Sequence, residues 1–334
     1  MAKKSPRVTI TDVARTAGVS LSTVSRVMND NPTVDPALAE RVRGVATDLG
    51  YTANPLARSL VLGRTQTVAV VIPDLANPTF QAILRGLSRA ADDDGYHVLI
   101  ADSAEQVEKE PTLATTTRRR TDGVILCAPR MSQDELTAML PALAPAVIVN
   151  RPPQPGAPTV AADYRSAMTE LVAHLYELGH RRVAFLSGVP GSASGAARKT
   201  AQAEARIAHA DLEIVEFPAG VDFDSGAQAA GPVLAASVTA VLAFNDLVAM
   251  GLLSAVTAQG VRVPEDLSIA GFDDIPFARF TSPPLTTAAV PAAELGRRAW
   301  AAMSALLSGD AAATSLVLTP EIVVRGSTGP APAS

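Results

Sequence analysis

Cysteine is nearly absent from this chain, with one residue, Cys127, in 334. That excludes an internal disulfide and a cysteine-based zinc site. The four histidines, His97, His174, His180 and His209, stand at no metal-ligand spacing, so no metal and no cofactor are expected. Nowhere do roughly 18 uncharged apolar residues run together, and no membrane span is expected. The opening MAKKSPRVTITD passes from lysines into polar and β-branched residues without an apolar h-region, which leads to the expectation of a cytoplasmic protein. A catalytic constellation is missing as well. In GSASGAARKT at 191–200 the second glycine is not followed by lysine, so the phosphate-loop spacing fails. Ala193 holds the central position of GSASG where a nucleophile elbow needs serine. No acid, base and nucleophile assemble, and an enzyme is not expected.

What is present divides unevenly. A length of 334 residues suggests two or three units, and 48% hydrophobic residues with 25 Pro and 22 Gly suit a compact fold. The net charge is -5, yet up to Arg64 there are nine Lys/Arg against five Asp/Glu, leaving 19 against 28 in the rest. A small basic module precedes a large acidic one, and only the first need approach a polyanion.

The basic module reads as three helices. Thr11 is a plausible N-cap for the first, and Gly18 supplies a left-handed stop. Ser20 can cap a second helix whose Val24, Val27 and Met28 recur at helical spacing. Asp35 caps the third, Pro36 sits at its first position, and Leu38, Val42, Val45 and Leu49 make an apolar stripe before Gly50. Helix, tight glycine turn, helix is a helix-turn-helix, whose second helix points its first residues at base edges. Leu21, Ser22 and Arg26 are then exposed, and arginine can donate bidentately to guanine.

From Thr67 the pattern alternates strands with helices: TVAVVIP, YHVLIAD, DGVILCAP, PAVIVNR, RRVAFLSG, AVLAFND and LSIAGFDD are β-branched or apolar runs. This is a parallel α/β reading, in which ligands bind outside the carboxyl ends of the strands. The strands fall before and after the Pro-rich RPPQPGAP at 151–158, giving two lobes and a cleft. Asn77, Phe80, Asn150, Arg151, Asn245, Asp246, Asp273 and Asp274 follow strand ends, and Arg198 lies beyond FLSGVPGSASGAA. Paired donors and acceptors with an aromatic suit a polyhydroxylated ligand. Asp246 and Asp274 are expected to cap helices or turns, Asp273 and Arg198 to meet ligand.

TITDVARTAGVSLSTVSRVMN at 9–29 and GYTANPLARSL at 50–60 resemble the DNA-binding head and hinge of the LacI/GalR (lac repressor) family of bacterial transcription regulators. GHRRVAFLSG, AFNDLVAMG and VPEDLSIAGFDDIPFARFTSPPLTT carry the resemblance, in family order, through 287. It implies an all-α helix-turn-helix head and an α/β two-lobed, periplasmic-binding-protein-like core of two parallel-sheet, Rossmann-like lobes. It also implies a hinge helix at NPLARSL that places Leu60 in the minor groove, with Ala57 beside it. Wedging a leucine between base steps costs about a few kcal/mol of unstacking and bends the DNA toward more contacts. Arg198, Asn245 and Asp273 match recurrent effector contacts of the family; Phe80 and Asn150 match less constant ones. The family usually has aspartate at Asn150, and often an aromatic where this chain has Val221.

The expected organisation is a head over 7–50, a hinge over 51–65, a first lobe over 66–162 and 289–317, and a second over 163–288 and 318–327, with a disordered tail at 328–334. The expected DNA-facing set is Thr11, Ser20, Leu21, Ser22, Thr23, Arg26, Asn29, Asn54, Ala57, Arg58 and Leu60. The effector set is Phe80, Asn150, Arg198, Asn245 and Asp273. The expected function is a transcriptional regulator, a repressor in the first instance, that binds a pseudo-palindromic operator as a homodimer. A small, carbohydrate-like effector would control it. The alternative is an α/β sugar-binding protein or a sugar-acting enzyme without a DNA role.

Overall fold

The computed structural model describes residues 8–29, 31–51, 63–310 and 315–333. The chain forms two compact units that divide at Gln66 and Thr67.

The first unit is built from α1 (Ile10–Ala17), α2 (Leu21–Met28) and α3 (Pro36–Asp48). Val13, Val24, Val27 and Val42 are fully or almost fully buried among alanines at 14, 17, 39 and 46. Helix α1 starts earlier than the sequence suggests. Its cap is Thr9 and not Thr11, because the Asp12 carboxylate reaches back to accept the Thr9 N–H (3.0 Å) and hydroxyl (2.7 Å). An acid in the first turn thus satisfies the donors that a capping hydroxyl would otherwise leave exposed. Gly18 stops the helix at φ +67°. Ser20 and Asp35 cap α2 and α3 as expected, accepting from the Thr23 and Leu38 amides. The stripe on α3 is displaced by part of a turn: Ala39, Val42 and Ala46 are buried, while Leu38, Val45 and Leu49 flank them half-buried. Small residues sit where the helices approach most closely, and the larger ones close the rim.

The second unit contains two six-stranded sheets of matching design. The first holds β1 (Thr67–Ile72), β2 (His97–Asp102), β3 (Gly123–Cys127), β4 (Ala146–Val149) and β5 (Thr159–Ala162). The second holds β6 (Arg182–Ser187), β7 (Glu213–Pro218), β8 (Ala240–Ala243), β9 (Ser268–Asp273) and β10 (Thr286–Ala289). The chain then returns to add β11 (Leu316–Leu318) to the first sheet and β12 (Glu321–Val323) to the second. The orders are β11-β5-β4-β3-β1-β2 and β12-β10-β9-β8-β6-β7. Every pairing is parallel except β10 with β12. Central strands such as β3 and β4 are buried along their whole length, as strands covered on both faces must be.

Helices α4 (Pro78–Asp93), α5 (Glu110–Arg118), α6 (Gln133–Leu143) and α12 (Ala292–Leu307) serve the first sheet. Helices α7 (Tyr164–Glu177), α8 (Ala193–Ala208), α9 (Phe223–Gln228), α10 (Ala230–Ala235) and α11 (Asp246–Ala258) serve the second. Because α12 follows β10 yet packs on α4, the chain crosses between lobes near 163, 290 and 319.

Residues 328–331, expected as the start of a disordered tail, are instead tied to the second lobe. Gly329 donates to Ser268 Oγ and its carbonyl meets His180 Nε2 at 3.0 Å, while the Ala331 N–H donates to the Leu178 carbonyl. His180, fully buried, uses its Nδ1 on the Thr239 hydroxyl at 2.9 Å. A segment poor in apolar side chains is thus ordered by hydrogen bonds, those of its backbone and those of the Thr328 hydroxyl with His174 Nε2 (3.0 Å) and the Thr286 hydroxyl (2.9 Å).

Candidate functional site

Two places in the chain carry the expected chemistry, one in each unit. In the head, α2 turns Val24 and Val27 inward. That leaves Leu21 half exposed, Ser22 and Arg26 exposed, and Thr23 and Asn29 half-buried. Ser20 ties the start of the helix together: its hydroxyl accepts the Thr23 N–H and lies 2.8 and 2.9 Å from the hydroxyls of Ser22 and Thr23. Thr11 is exposed on α1. The helix offers hydroxyls and a guanidinium to solvent, with no acid in its first turn to repel phosphate. Asn54, Ala57, Arg58 and Leu60 lie outside the described residues.

In the second unit, the carboxyl ends of the two sheets face each other across a cavity of about 30 Å³. All five residues of the expected effector set line it. They differ in what they have left to offer. Asn245 caps α11 by accepting the Val248 N–H at 2.9 Å and donates to the Val221 carbonyl at 2.8 Å. Asn150 accepts the Ala162 N–H at 3.0 Å and donates to the Tyr164 hydroxyl at 2.9 Å. An amide used twice keeps one N–H and spare lone pairs. Phe80 gives an apolar wall.

Arg198 is the main charged donor. It is 2% exposed, yet its Nε and Nη1 have no hydrogen-bond partner among the described residues. Its Cζ sits 4.0, 4.6 and 4.7 Å from the ring centroids of Phe272, Phe244 and Tyr164. Three π-faces hold the cation without consuming its N–H groups. Burial lowers its pKa to about 10, against the pull of Tyr164 and Asp273. Asp273 faces it, its carboxylate accepting, among the described residues, only the Thr79 hydroxyl at 2.8 Å. Burial raises this carboxyl to about 6, opposed by Arg198 and the Thr79 hydrogen bond. The raised pKa and the orphaned nitrogens have one physical cause: charged groups held dry before a partner is supplied.

Several sequence candidates are structural. Asp246 is fully buried, at the first position of α11. It accepts the Ile275 N–H (2.8 Å) and the Thr287 hydroxyl (2.6 Å), and burial pushes its carboxyl well above the usual range. Asp274 pairs with Arg325 at 2.7 Å. Neither caps a helix; both brace loops. Arg151 donates to the Pro129 and Met131 carbonyls instead of entering the cavity. Cys127 is buried, its thiol pushed up to about 12.

Sequence reasoning missed Glu105, Arg130, Tyr164 and Phe244, which also line the cavity. The same strand-end rule would have found three of them, since Glu105 follows β2, Arg130 follows β3 and Phe244 follows β8, while Tyr164 follows β5, a strand that no apolar run marks. Among the described residues, no cluster of His, Cys, Asp and Glu could hold a metal, and no helix is long and apolar enough to cross a membrane.

Comparison with known proteins gives the frame for both places. Residues 9–54 match the bacterial regulatory proteins of the lacI family, and residues 172–328 match a periplasmic binding protein-like domain. The chain is 34% identical over 333 residues to the HTH-type transcriptional repressor CytR of Escherichia coli (strain K12), covering 98% of each sequence. The chain belongs to the lacI family. A lac repressor dimer solved with operator and the anti-inducer ONPF superposes with a TM-score of 0.88 at 28% identity, covering 97% of this chain and 99% of that one. The transcriptional regulator CelR in complex with cellobiose gives 0.69 at 30% identity, covering 96% and 100%. As a lacI-family protein the chain is a DNA-binding transcription regulator and not an enzyme. Within that family, the exposed face of α2 belongs to the matched DNA-binding region and the cavity lies at the heart of the two-lobed core.

Proposed function

We propose that the protein is a cytoplasmic, dimeric repressor that reads a pseudo-palindromic operator with Leu21, Ser22 and Arg26, and that an uncharged, carbohydrate-like effector held by Arg198 and Asp273 sets its operator affinity. The observation that carries the effector half is the Arg198 guanidinium, buried with Nε and Nη1 unpaired before the Asp273 carboxylate. A ligand hydroxyl can accept from the first and donate to the second, and each such charge-assisted bond is worth roughly 1.5–3 kcal/mol. The cellobiose complex of CelR supports a carbohydrate, and the operator complex of the lac repressor dimer supports a two-fold arrangement of heads.

The test begins with selection of operator from random DNA, followed by operator binding across a panel of neutral sugars and nucleosides. Arg26→Ala should cost about 1–3 kcal/mol on the selected site and relax preference at one base pair. Equal loss on random DNA would reduce Arg26 to a phosphate contact. Asp273→Ala should bind operator like the unaltered protein but need roughly ten- to hundredfold more effector to respond. An unchanged effector response in a folded Asp273→Ala protein would remove the cavity from the reading.

A further inference from the structure

Across the cavity from Arg198 and Asp273 lies a second charged pair, contributed by the first lobe. Arg130 is 7% exposed and grips Glu105 with two parallel bonds, Nε to Oε2 at 2.9 Å and Nη2 to Oε1 at 2.8 Å. Both residues line the cavity. Their positions are fixed from behind. The buried Glu110 carboxylate accepts the backbone N–H of Arg130 and of Met131, each at 2.9 Å, so the loop after β3 cannot shift without breaking these bonds. Glu105 is turned toward it by consecutive positive φ angles at Ala104 (+52°) and Glu105 (+55°).

Two capacities remain in this pair. Arg130 Nη1 has no hydrogen-bond partner among the described residues. The Glu105 carboxylate spends one lone pair of each oxygen on Arg130 and keeps the others. One ligand hydroxyl can accept from Nη1 while a second donates to Glu105, which a polyhydroxylated molecule supplies and a lone hydroxyl cannot. A phosphate or carboxylate cannot, because the guanidinium it would need is already neutralised and the neighbouring carboxylate repels it. The charges facing the cavity are then two guanidinium groups, Arg130 and Arg198, matched by two carboxylates, Glu105 and Asp273.

We propose that Glu105 and Arg130 form a second recognition pair in the interlobe cavity, selecting an uncharged polyhydroxylated effector and rejecting its phosphorylated or carboxylated counterparts. This rests on the reading of the cavity as the effector site. Glu105 is the specificity-determining residue: it converts a site with an excess cation into a neutral one.

The test uses inorganic phosphate as the probe, titrated calorimetrically into the full chain at low salt. The unaltered protein should bind it more weakly than about 1 mM. Glu105→Gln keeps the side-chain shape but frees the Arg130 charge, and should bind phosphate at least tenfold more tightly, with the gain lost again in Glu105→Gln/Arg130→Gln. A Glu105→Gln protein that binds phosphate no better than the unaltered one overturns the proposal. Submillimolar phosphate binding by the unaltered protein overturns it too, and that arm stands even if the variants fail to fold. The titration contains no DNA. Its failure therefore leaves the operator response of Asp273→Ala untouched, and loss of that response leaves the phosphate result to be judged alone.

Discussion

As a proposed effector contact, Asp273 links burial to ligand binding at a single carboxyl. In the native protein it titrates at about 6, because burial outweighs the help of Arg198 and Thr79. An effector hydroxyl that donates to it needs the ionised form. Affinity should therefore be flat above the native pKa and fall about tenfold between about pH 7.5 and about pH 5, as the carboxyl takes up its proton. Stability moves the other way. The native carboxyl is protonated more readily than the unfolded one, whose pKa is near 3.8, so this group alone favours the native state as pH drops through 6. Calorimetric effector titrations at both pH values, with thermal unfolding alongside, separate the two effects. Asp273→Asn should bind weakly at both and lose the pH dependence; an unchanged pH profile would place the titrating group elsewhere. Asp273 was legible because it stands at a strand end within a family motif, whereas Arg198, inside α8, was legible through the family resemblance. Glu105 and Arg130 also follow strand ends, but their pairing was not legible, because nothing in DSAEQ or CAPR shows that two positive-φ residues and a buried glutamate aim them at each other.

The helices of each lobe meet at glycines. A Cβ on Gly86 of α4 would lie 2.0 Å from the Ala293 carbonyl oxygen, and one on Gly296 of α12 would lie 2.0 Å from that of Ile83. The second lobe repeats the device, with Gly226 of α9 against the Val248 carbonyl and Gly251 of α11 against that of Phe223. Backbone touches backbone at each crossing, so no side chain can yield. Gly86→Ala and Gly296→Ala should each destabilise the protein by roughly 1–3 kcal/mol despite better helix propensity. Gly231→Ala, where a Cβ would meet nothing within 4 Å, should be neutral or stabilising. Urea unfolding of the three variants decides; equal midpoints would mean the crossings relax freely. The strands β1, β3, β4, β6, β8 and β9 could be read from their apolar runs. β5 (TVAA) and β10 (TTAA) could not, since four small residues carry no period, and their place comes from neighbours already in the sheet. The order of 328–331 was hidden for a related reason, resting on backbone hydrogen bonds to Ser268, His180 and Leu178 and on the Thr328 hydroxyl bonded to His174 and Thr286.

At the scale of the whole two-lobed core, the lobes touch where an effector would enter. Thr79 of the first lobe donates to Asp273 of the second, and Gly191 lies against the Arg130 backbone. The space enclosed is about 30 Å³, far below the roughly 300–1,000 Å³ of ordinary small-molecule sites. If the cavity is the effector site, as proposed, binding requires the lobes to part and close again, and a residue that blocks full closure should weaken the effector by acting on that equilibrium. Gly191 tests this. A Cβ there would stand 2.7 Å from the Arg130 carbonyl oxygen, and its φ of +77° adds backbone strain to any substitution. Gly156 has the same strain, φ +81°, with nothing within 4 Å of its Cβ position, and so isolates the clash. Gly191→Ala should prop the lobes apart, enlarge the radius of gyration seen by small-angle scattering, and weaken effector binding by about 1–2 kcal/mol, about five- to thirtyfold. Gly156→Ala should do neither. If both variants lose affinity equally, the strain and not the lobe contact is responsible; if neither does, the lobes do not close at Gly191 and Arg130 when effector is bound.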